Sequence, residues 1–344
     1  MKKPKVLLMI DWDPRDKCYL AEHLNRHSVQ CDVIGSDFYV LHWNPWKKIV
    51  FHWTKCFEVS WRAFLKRREY DYIIALQQMI GMFYGFFKVL TFSKYPRLFI
   101  LQIDLIQRSN PISAWLRKSA VQIAWMGADR LGFYSNKQLE VMIKNYHVPV
   151  DKAVVLYFAL QLEKYPYQEK RDRGGYIFSV GVSYRDYKTL FQAARKINRQ
   201  FVVVTQDFAI QGLTIPENVK VYTNTFGKQA SALMQKADVV VIPMRDPESP
   251  SGNTSLFEAM WYGKPVVITR AVTTEEYIED GVDGFLVPCG DADAVVKILN
   301  ALYFDPERAK KVGKAARKTI QEKFTMDIYA KRIAEIIRSD LHSL

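Results

Sequence analysis

Residues Ser251 to Leu286 read SGNTSLFEAMWYGKPVVITRAVTTEEYIEDGVDGFL, and the punctuation of this stretch decides the fold. Just upstream, Asp238-Val-Val-Val-Ile-Pro243 is a short, β-branched apolar run, the pattern of a buried strand that ends in a loop. Ser251, Gly252, Asn253 and Thr254 then open a helix, and Ser255 with Glu258 has capping-box spacing. Gly263 and Pro265 stop the helix before the strand Pro265 to Thr269. Strand, helix and strand in succession make a βαβ unit, which implies a parallel sheet. A Gly/Ser/Asn loop running into a helix N-terminus also offers free backbone N–H groups and a positive dipole end to a phosphate. Glu258, one turn in, is placed to accept hydrogen bonds from ribose hydroxyls. On the loop alone, an ordinary capped helix reads the same way.

Working outward, the same rhythm extends through the chain. Before Ser251 come a strand at Tyr176 to Val180, a helix at Tyr187 to Ile197, strands at Phe201 to Thr205 and Val219 to Tyr222, and a helix at Lys228 to Lys236. The first half alternates likewise, with strands expected at Lys5 to Ile10, Cys31 to Ile34, Asp71 to Leu76, Arg97 to Gln102, within Gly127 to Tyr134, and at Lys152 to Tyr157. The polar, charged segment Gln161 to Gly175 lies between the halves. The reading is α/β with two Rossmann-like, doubly wound domains facing a cleft. Residues 1–160 form the first, 161–175 a linker, 176–325 the second, and 326–344 a closing helix that returns to the first. A length of 344 residues suits two such domains.

The second-half motifs closely resemble glycosyltransferase family 4. Glu258-Ala259-Met260, Gly263-Lys264-Pro265-Val266-Val267 and Asp280-Gly281-Val282-Asp283-Gly284-Phe285-Leu286-Val287 match its Glu-Ala-Met, Gly-x-Pro-Val-Val and Asp-Gly-x-Asn-Gly-x-Leu-Val elements. Gly181-Val182-Ser183-Tyr184-Arg185-Asp186-Tyr187-Lys188 stands where the family has Gly-Arg-x(n)-Lys-Gly. The resemblance covers roughly residues 176–335. It implies the GT-B fold and a hexosyltransferase that takes a nucleotide-diphosphate sugar as donor. Transfer to a polysaccharide, lipopolysaccharide or lipid-linked acceptor would proceed with retention and without an essential metal or other cofactor. It puts Gly181, Lys188, Ser251, Gly252, Asn253, Thr254, Ser255 and Glu258 around the donor, with Arg185 in the place of the family lysine. A fixed cation there suits the chemistry, because cleaving the sugar bond concentrates charge on the leaving diphosphate.

Three positions depart from the family. Pro250 occupies the place of its first glutamate, with Glu248 the nearest acid. Val182 replaces an arginine, and Asp11-Trp12-Asp13-Pro14 replaces the Gly-rich loop after strand one. A non-catalytic GT-B-like binding or scaffold protein is therefore the alternative. Asp11 and Asp104, each following a strand of the first domain, are the candidates for contacting the acceptor. The Asp11/Asp13 pair also spells a DxD metal motif, although the resemblance puts no metal there. His23 and His27, at i and i+4, have no third ligand or HExxH context and read as solvent-facing histidines.

The formal net charge is +13. Residues 1–160 hold 23 Lys+Arg against 13 Asp+Glu, which is +10, leaving +3 for the remainder. A basic first half suits an anionic partner, either a phospholipid surface or a phosphate-bearing acceptor. No nucleic-acid motif accompanies the charge, so nucleic acid is not expected as a partner. In Trp46 to Arg68, aromatic residues recur at helical spacing among lysines and arginines. Two readings fit that pattern, an interfacial membrane anchor and a core-packing helix. Met79 to Phe92 is apolar all round but too short to span a bilayer, and reads as a helix covering the sheet. The apolar run at Val6 to Ile10 is too short for an export signal, and Cys18, Cys31, Cys56 and Cys289 show no pairing pattern. The expected location is cytoplasmic, peripheral on the inner membrane face.

Overall fold

The computed structural model describes residues 3–36, 45–103, 111–167 and 174–342. The chain folds as two compact units, residues 1–157 with 326–344, and residues 158–325.

Unit 1 is built on β1 (Lys5–Met9), β2 (Gln30–Ile34), β3 (Tyr72–Ala75), β4 (Arg97–Ile100), β5 (Arg130–Phe133) and β6 (Ala153–Val155). They pair in parallel in the order β2-β1-β3-β4-β5-β6. Between them run α1 (Tyr19–Arg26), α2 (Pro45–Leu65), α3 (Gln78–Leu90), α4 (Pro111–Met126) and α5 (Asn136–Tyr146). The central strands β1, β3 and β4 are apolar without alternation because both faces are covered, with Val6, Leu8, Ile73, Ile74, Leu98 and Phe99 all fully buried. The order reverses at β1, so the crevice for a ligand lies past the ends of β1 and β3. Asp11 sits there.

Unit 2 repeats the plan with β7 (Tyr176–Val180), α6 (Tyr187–Arg195), β8 (Gln200–Val204), α7 (Asp207–Ile210), β9 (Val219–Tyr222), α8 (Lys228–Lys236) and β10 (Val239–Ile242). It continues through α9 (Asn253–Trp261), β11 (Val266–Thr269), α10 (Thr274–Tyr277), β12 (Phe285–Val287), α11 (Ala292–Phe304) and α12 (Pro306–Lys323). The order is β12-β11-β10-β7-β8-β9, again all parallel. The reversal falls between β7 and β10, which places the ligand crevice on the loops after those two strands.

The last helix, α13 (Met326–His342), belongs to unit 1. Two carboxylates hold it there. Asp340 is 2% exposed and accepts hydrogen bonds from the Arg130 guanidinium (Nε at 3.0 Å) and the Tyr72 hydroxyl (2.8 Å), with Arg97 at 3.3 Å. At the other end, Asp327 Oδ1 meets His23 Nδ1 at 3.1 Å and His27 Nε2 at 2.9 Å. This corrects the solvent-facing reading of the two histidines. The i, i+4 pair faces α13, and His23 is buried. The chain crosses between the units twice, and the crossings are paired in unit 2. Leu160 bridges to Thr325, and its N–H donates to the Phe324 carbonyl (2.9 Å). Beneath them Phe257 of α9 packs on Phe158, Tyr277 and Phe324 at 4.8 to 5.5 Å between ring centres.

Candidate functional site

The crevice of unit 2 is organised by one arginine. β7 ends at Val180, Gly181 takes a φ of +123°, and Tyr184 turns at +55°. These turns bring Arg185 into an antiparallel bridge with Met244, just past β10. Arg185 is 8% exposed. Its Nε donates to the Val180 carbonyl (2.9 Å), one terminal nitrogen to the Ser183 carbonyl (3.2 Å) and Met244 Sδ (2.8 Å), and the other to Ser255 Oγ (3.2 Å). Every one of these partners is neutral. Among the described residues, no carboxylate pairs with this guanidinium. Burial pushes its pKa down and Tyr187 opposes this, but a guanidinium stays charged at any working pH. A buried charge without a counter-ion is costly, and an arriving anion removes the cost.

The surroundings keep that seat open. A Cβ on Gly181 would lie 2.6 to 2.8 Å from the guanidinium, so only glycine lets the strand end pass so close. The Gly181 carbonyl is held by the hydroxyls of Tyr187 (2.5 Å) and Thr205 (2.9 Å). Gly252, with φ +92°, is the N-cap of α9, and a Cβ there would come within 3.5 Å of the same guanidinium. Gly252 has no side chain with which to cap the helix. The amides of Asn253, Thr254 and Ser255 have no acceptor among the described residues. Three free N–H groups and a positive dipole end therefore adjoin a buried cation.

The expected capping box does not form. Because Gly252 is the cap, Ser255 falls in the third helical position, where its hydroxyl accepts from Arg185. The Glu258 carboxylate instead accepts from the Ser231 hydroxyl of α8. Burial pushes the Glu258 pKa up to about 7, against the opposing Ser231 bond. The Asn253 side chain is spent internally, donating to the Pro250 carbonyl (2.9 Å) and accepting from Thr273 (3.1 Å). The hydroxyls of Ser251 and Ser249 share a 2.6 Å bond. Thr254 and Lys188 are exposed, and Lys188 is not joined to the Arg185 cluster by any hydrogen bond. Pro250 is buried and Glu248 exposed.

Sequence reasoning missed Met244 and Ser231. Nothing in the spacing marks either one, since each reaches the site only through the pairing of β10 with β7 and the packing of α8 on α9.

In unit 1, Asp11 lies just past β1. Its pKa is raised by burial, with a hydrogen bond from Gln77 and the nearby His52 acting in the other direction. The Asp13 carboxylate accepts hydrogen bonds from the Arg15 guanidinium (Nε at 2.9 and 2.8 Å). Among the described residues no group of three or more His, Cys, Asp or Glu side chains is arranged to hold a metal. Asp104 lies outside the described residues.

Comparison with known proteins fits this geometry. The sucrose-phosphate synthase of Thermosynechococcus elongatus superposes over 99% of this chain and 100% of its own, with a TM-score of 0.78 at 16% identity. The fold is GT-B. A second GT-B-like match, Anabaena Alr3699/HepE in complex with UDP, covers 97% of this chain and 100% of its own, with a TM-score of 0.70 at 18% identity. Residues 168–319 match the family model described as glycosyl transferases group 1. A trehalose synthase of Pyrococcus horikoshii is 35% identical over 36% of this chain and 29% of its own length. The amylovoran biosynthesis glycosyltransferase AmsK of Erwinia amylovora is 33% identical over 30% and 26%. The matched region thus spans under a third of either relative.

Proposed function

We propose that this chain is a glycosyltransferase that moves a hexose from a nucleotide-diphosphate sugar to a hydroxyl of a glycan or lipid-linked acceptor. We assign retention and metal independence to the reaction. The observation that carries the reading is the buried Arg185 guanidinium, held only by neutral atoms beside the open amides of α9. A diphosphate seated there meets a preformed positive site. As the sugar bond breaks, charge grows on the leaving β-phosphate, and a cation already fixed in place stabilises that state more than the ground state. Such a seat supplies the charge that a divalent cation supplies elsewhere, which supports metal independence. Glu258, partly buried one turn into α9, suits ribose hydroxyls as donors to its carboxylate. The relatives named above lend the transferase chemistry, and AmsK the polysaccharide acceptor.

The test is thermal stabilisation of the full chain by a panel of nucleotides and nucleotide sugars. A ligand at about a hundred times its dissociation constant adds roughly 2.7 kcal/mol of stability. A shift with one diphosphate sugar names the donor. No shift with any of them, from a folded sample, moves the assignment to a non-catalytic binding protein, a reading already favoured by Pro250 at the family's glutamate position. Product anomers read by NMR, and turnover in the presence of chelator, test retention and metal independence.

Glu258 gives this binding a pH signature. Its raised pKa means that ionising it costs the free protein stability as pH climbs from the ordinary carboxylate range through about 7. Hydroxyls donating to the ionised form favour it, so donor affinity rises with pH up to about 7 and then levels. Glu258→Gln should flatten that profile in calorimetric titrations. An unchanged profile would remove Glu258 from the ribose contact.

A further inference from the structure

The first unit carries an apolar face that its own fold leaves uncovered. One side of α2 packs on the sheet through Cys56, Val59, Ala63 and Phe64, all buried. A sheet-covering helix needs only that side to be apolar. Yet Val50, Trp53, Phe57, Trp61 and Leu65 recur every three or four residues along another side, exposed at 61, 52, 46, 44 and 61%. At 1.5 Å per residue, this stripe is roughly 22 Å long.

The rings are already locked in place. Trp53 and Phe57 meet Phe83 of α3 edge-on at 6.3 and 5.7 Å, and Phe57 and Trp61 meet Phe87 at 5.4 Å each. On α3, Phe86 and Leu90 carry the exposed surface further, at 43 and 59%.

Charge identifies the occupant. Residues 45–96 contain nine Lys+Arg against three Asp+Glu; with Lys88 set aside, because it is buried and paired with Asp129, eight remain and the net is +5. Glu58, the only acid on α2, is taken up between Lys55 (2.9 Å) and Arg62 (3.6 Å). Lys66 and Arg68, just past the end of the stripe, are exposed, and neither side chain forms an ion pair among the described residues. A second copy of the chain meeting this face about a two-fold axis would bring like charges together. Among the described residues no helix is long and apolar enough to cross a membrane, so a bilayer would be met at its surface.

We infer that the α2–α3 face docks unit 1 on an anionic lipid bilayer, with the tryptophans at headgroup depth and the cations on the lipid phosphates. The inference does not depend on the donor reading, because vesicle binding is measured without any nucleotide.

The experiment is flotation of the full chain with vesicles of phosphatidylcholine alone or mixed with phosphatidylglycerol, at low and high salt. The chain should float only with the anionic vesicles, and high salt should weaken the association. Lys66→Glu with Arg68→Glu should reduce binding by roughly fivefold or more per charge changed. Val50→Gln with Leu65→Gln, at sites open enough to leave the core alone, should reduce it at least as much while circular dichroism stays unchanged. Three outcomes overturn the inference: no flotation on anionic vesicles, flotation unaffected by either double variant, or a dimer in sedimentation velocity that V50Q/L65Q dissolves while vesicle binding is absent.

Discussion

Arg185→Ala should abolish the thermal shift produced by the donor and lower kcat/KM by about a thousandfold, the scale on which a preorganised charge acts in a transition state. The free protein should keep its melting temperature to within a few degrees. This split follows from the seat itself. Truncation removes four hydrogen bonds to neutral acceptors, and it also removes a buried charge that has no counter-ion among the described residues. In the free protein these two effects oppose each other. With the diphosphate bound they do not, since the anion has lost the buried cation it rests on. A structural arginine would show the reverse pattern, with a lower melting temperature and a donor shift that survives. Arg185→Lys should recover part of the rate, since a point charge remains but the forked geometry that grips Val180, Met244 and Ser255 at once is gone. A variant that still binds and transfers at the parental rate would remove Arg185 from the mechanism.

Asp340→Ala should destabilise unit 1 by about 3 kcal/mol, as breaking a buried pair does when it strands the partner charges. Arg130, Arg97 and the Tyr72 hydroxyl all converge on this carboxylate. Burial alone would raise its pKa, yet the bonds from Arg130 and Tyr72 and the charge of Arg97 together hold it below the ordinary value. A depressed carboxylate contributes stability above its unfolded pKa and loses it as pH falls through the folded one. The parent should therefore lose stability on acidification faster than Asp340→Asn, which keeps a side chain able to bond Tyr72. Denaturant titration measures the cost, and amide exchange in α13 shows whether the loss is local to that helix.

Much of this architecture was legible because it is periodic. The helix Lys228–Lys236 and the strands Tyr176–Val180 and Val219–Tyr222 lie at their expected bounds. The Ser251 to Glu258 stretch announced a helix N-terminus, and α9 begins within it, at Asn253. Local pattern could not say which residue caps that helix. Ser255 offered a capping hydroxyl, but a left-handed Gly252 moved the cap one turn back. The seat's other walls come from distant sequence, and Met244 lies 59 residues from the arginine it touches. The histidine pair failed for the same reason, since its partner, Asp327, is 304 positions away from His23. For α2 the periodicity was right but could not choose between two apolar faces. The structure shows that both exist, one buried and one open.

The return of α13 to unit 1 also bears on how the protein is made. Unit 2 is contiguous from 158 to 325, so it can close as soon as it leaves the ribosome. Unit 1 cannot. Its sheet is synthesised early, but Tyr72, Arg97, Arg130 and the α1 histidines wait for a helix encoded after the whole of the other unit. During that interval the α13-facing side of α1 and the cations at the starts of β4 and β5 stand uncovered. No single cut in the chain yields both halves intact. A stand-alone unit 1 would have to carry residues 326–342 grafted onto its own end.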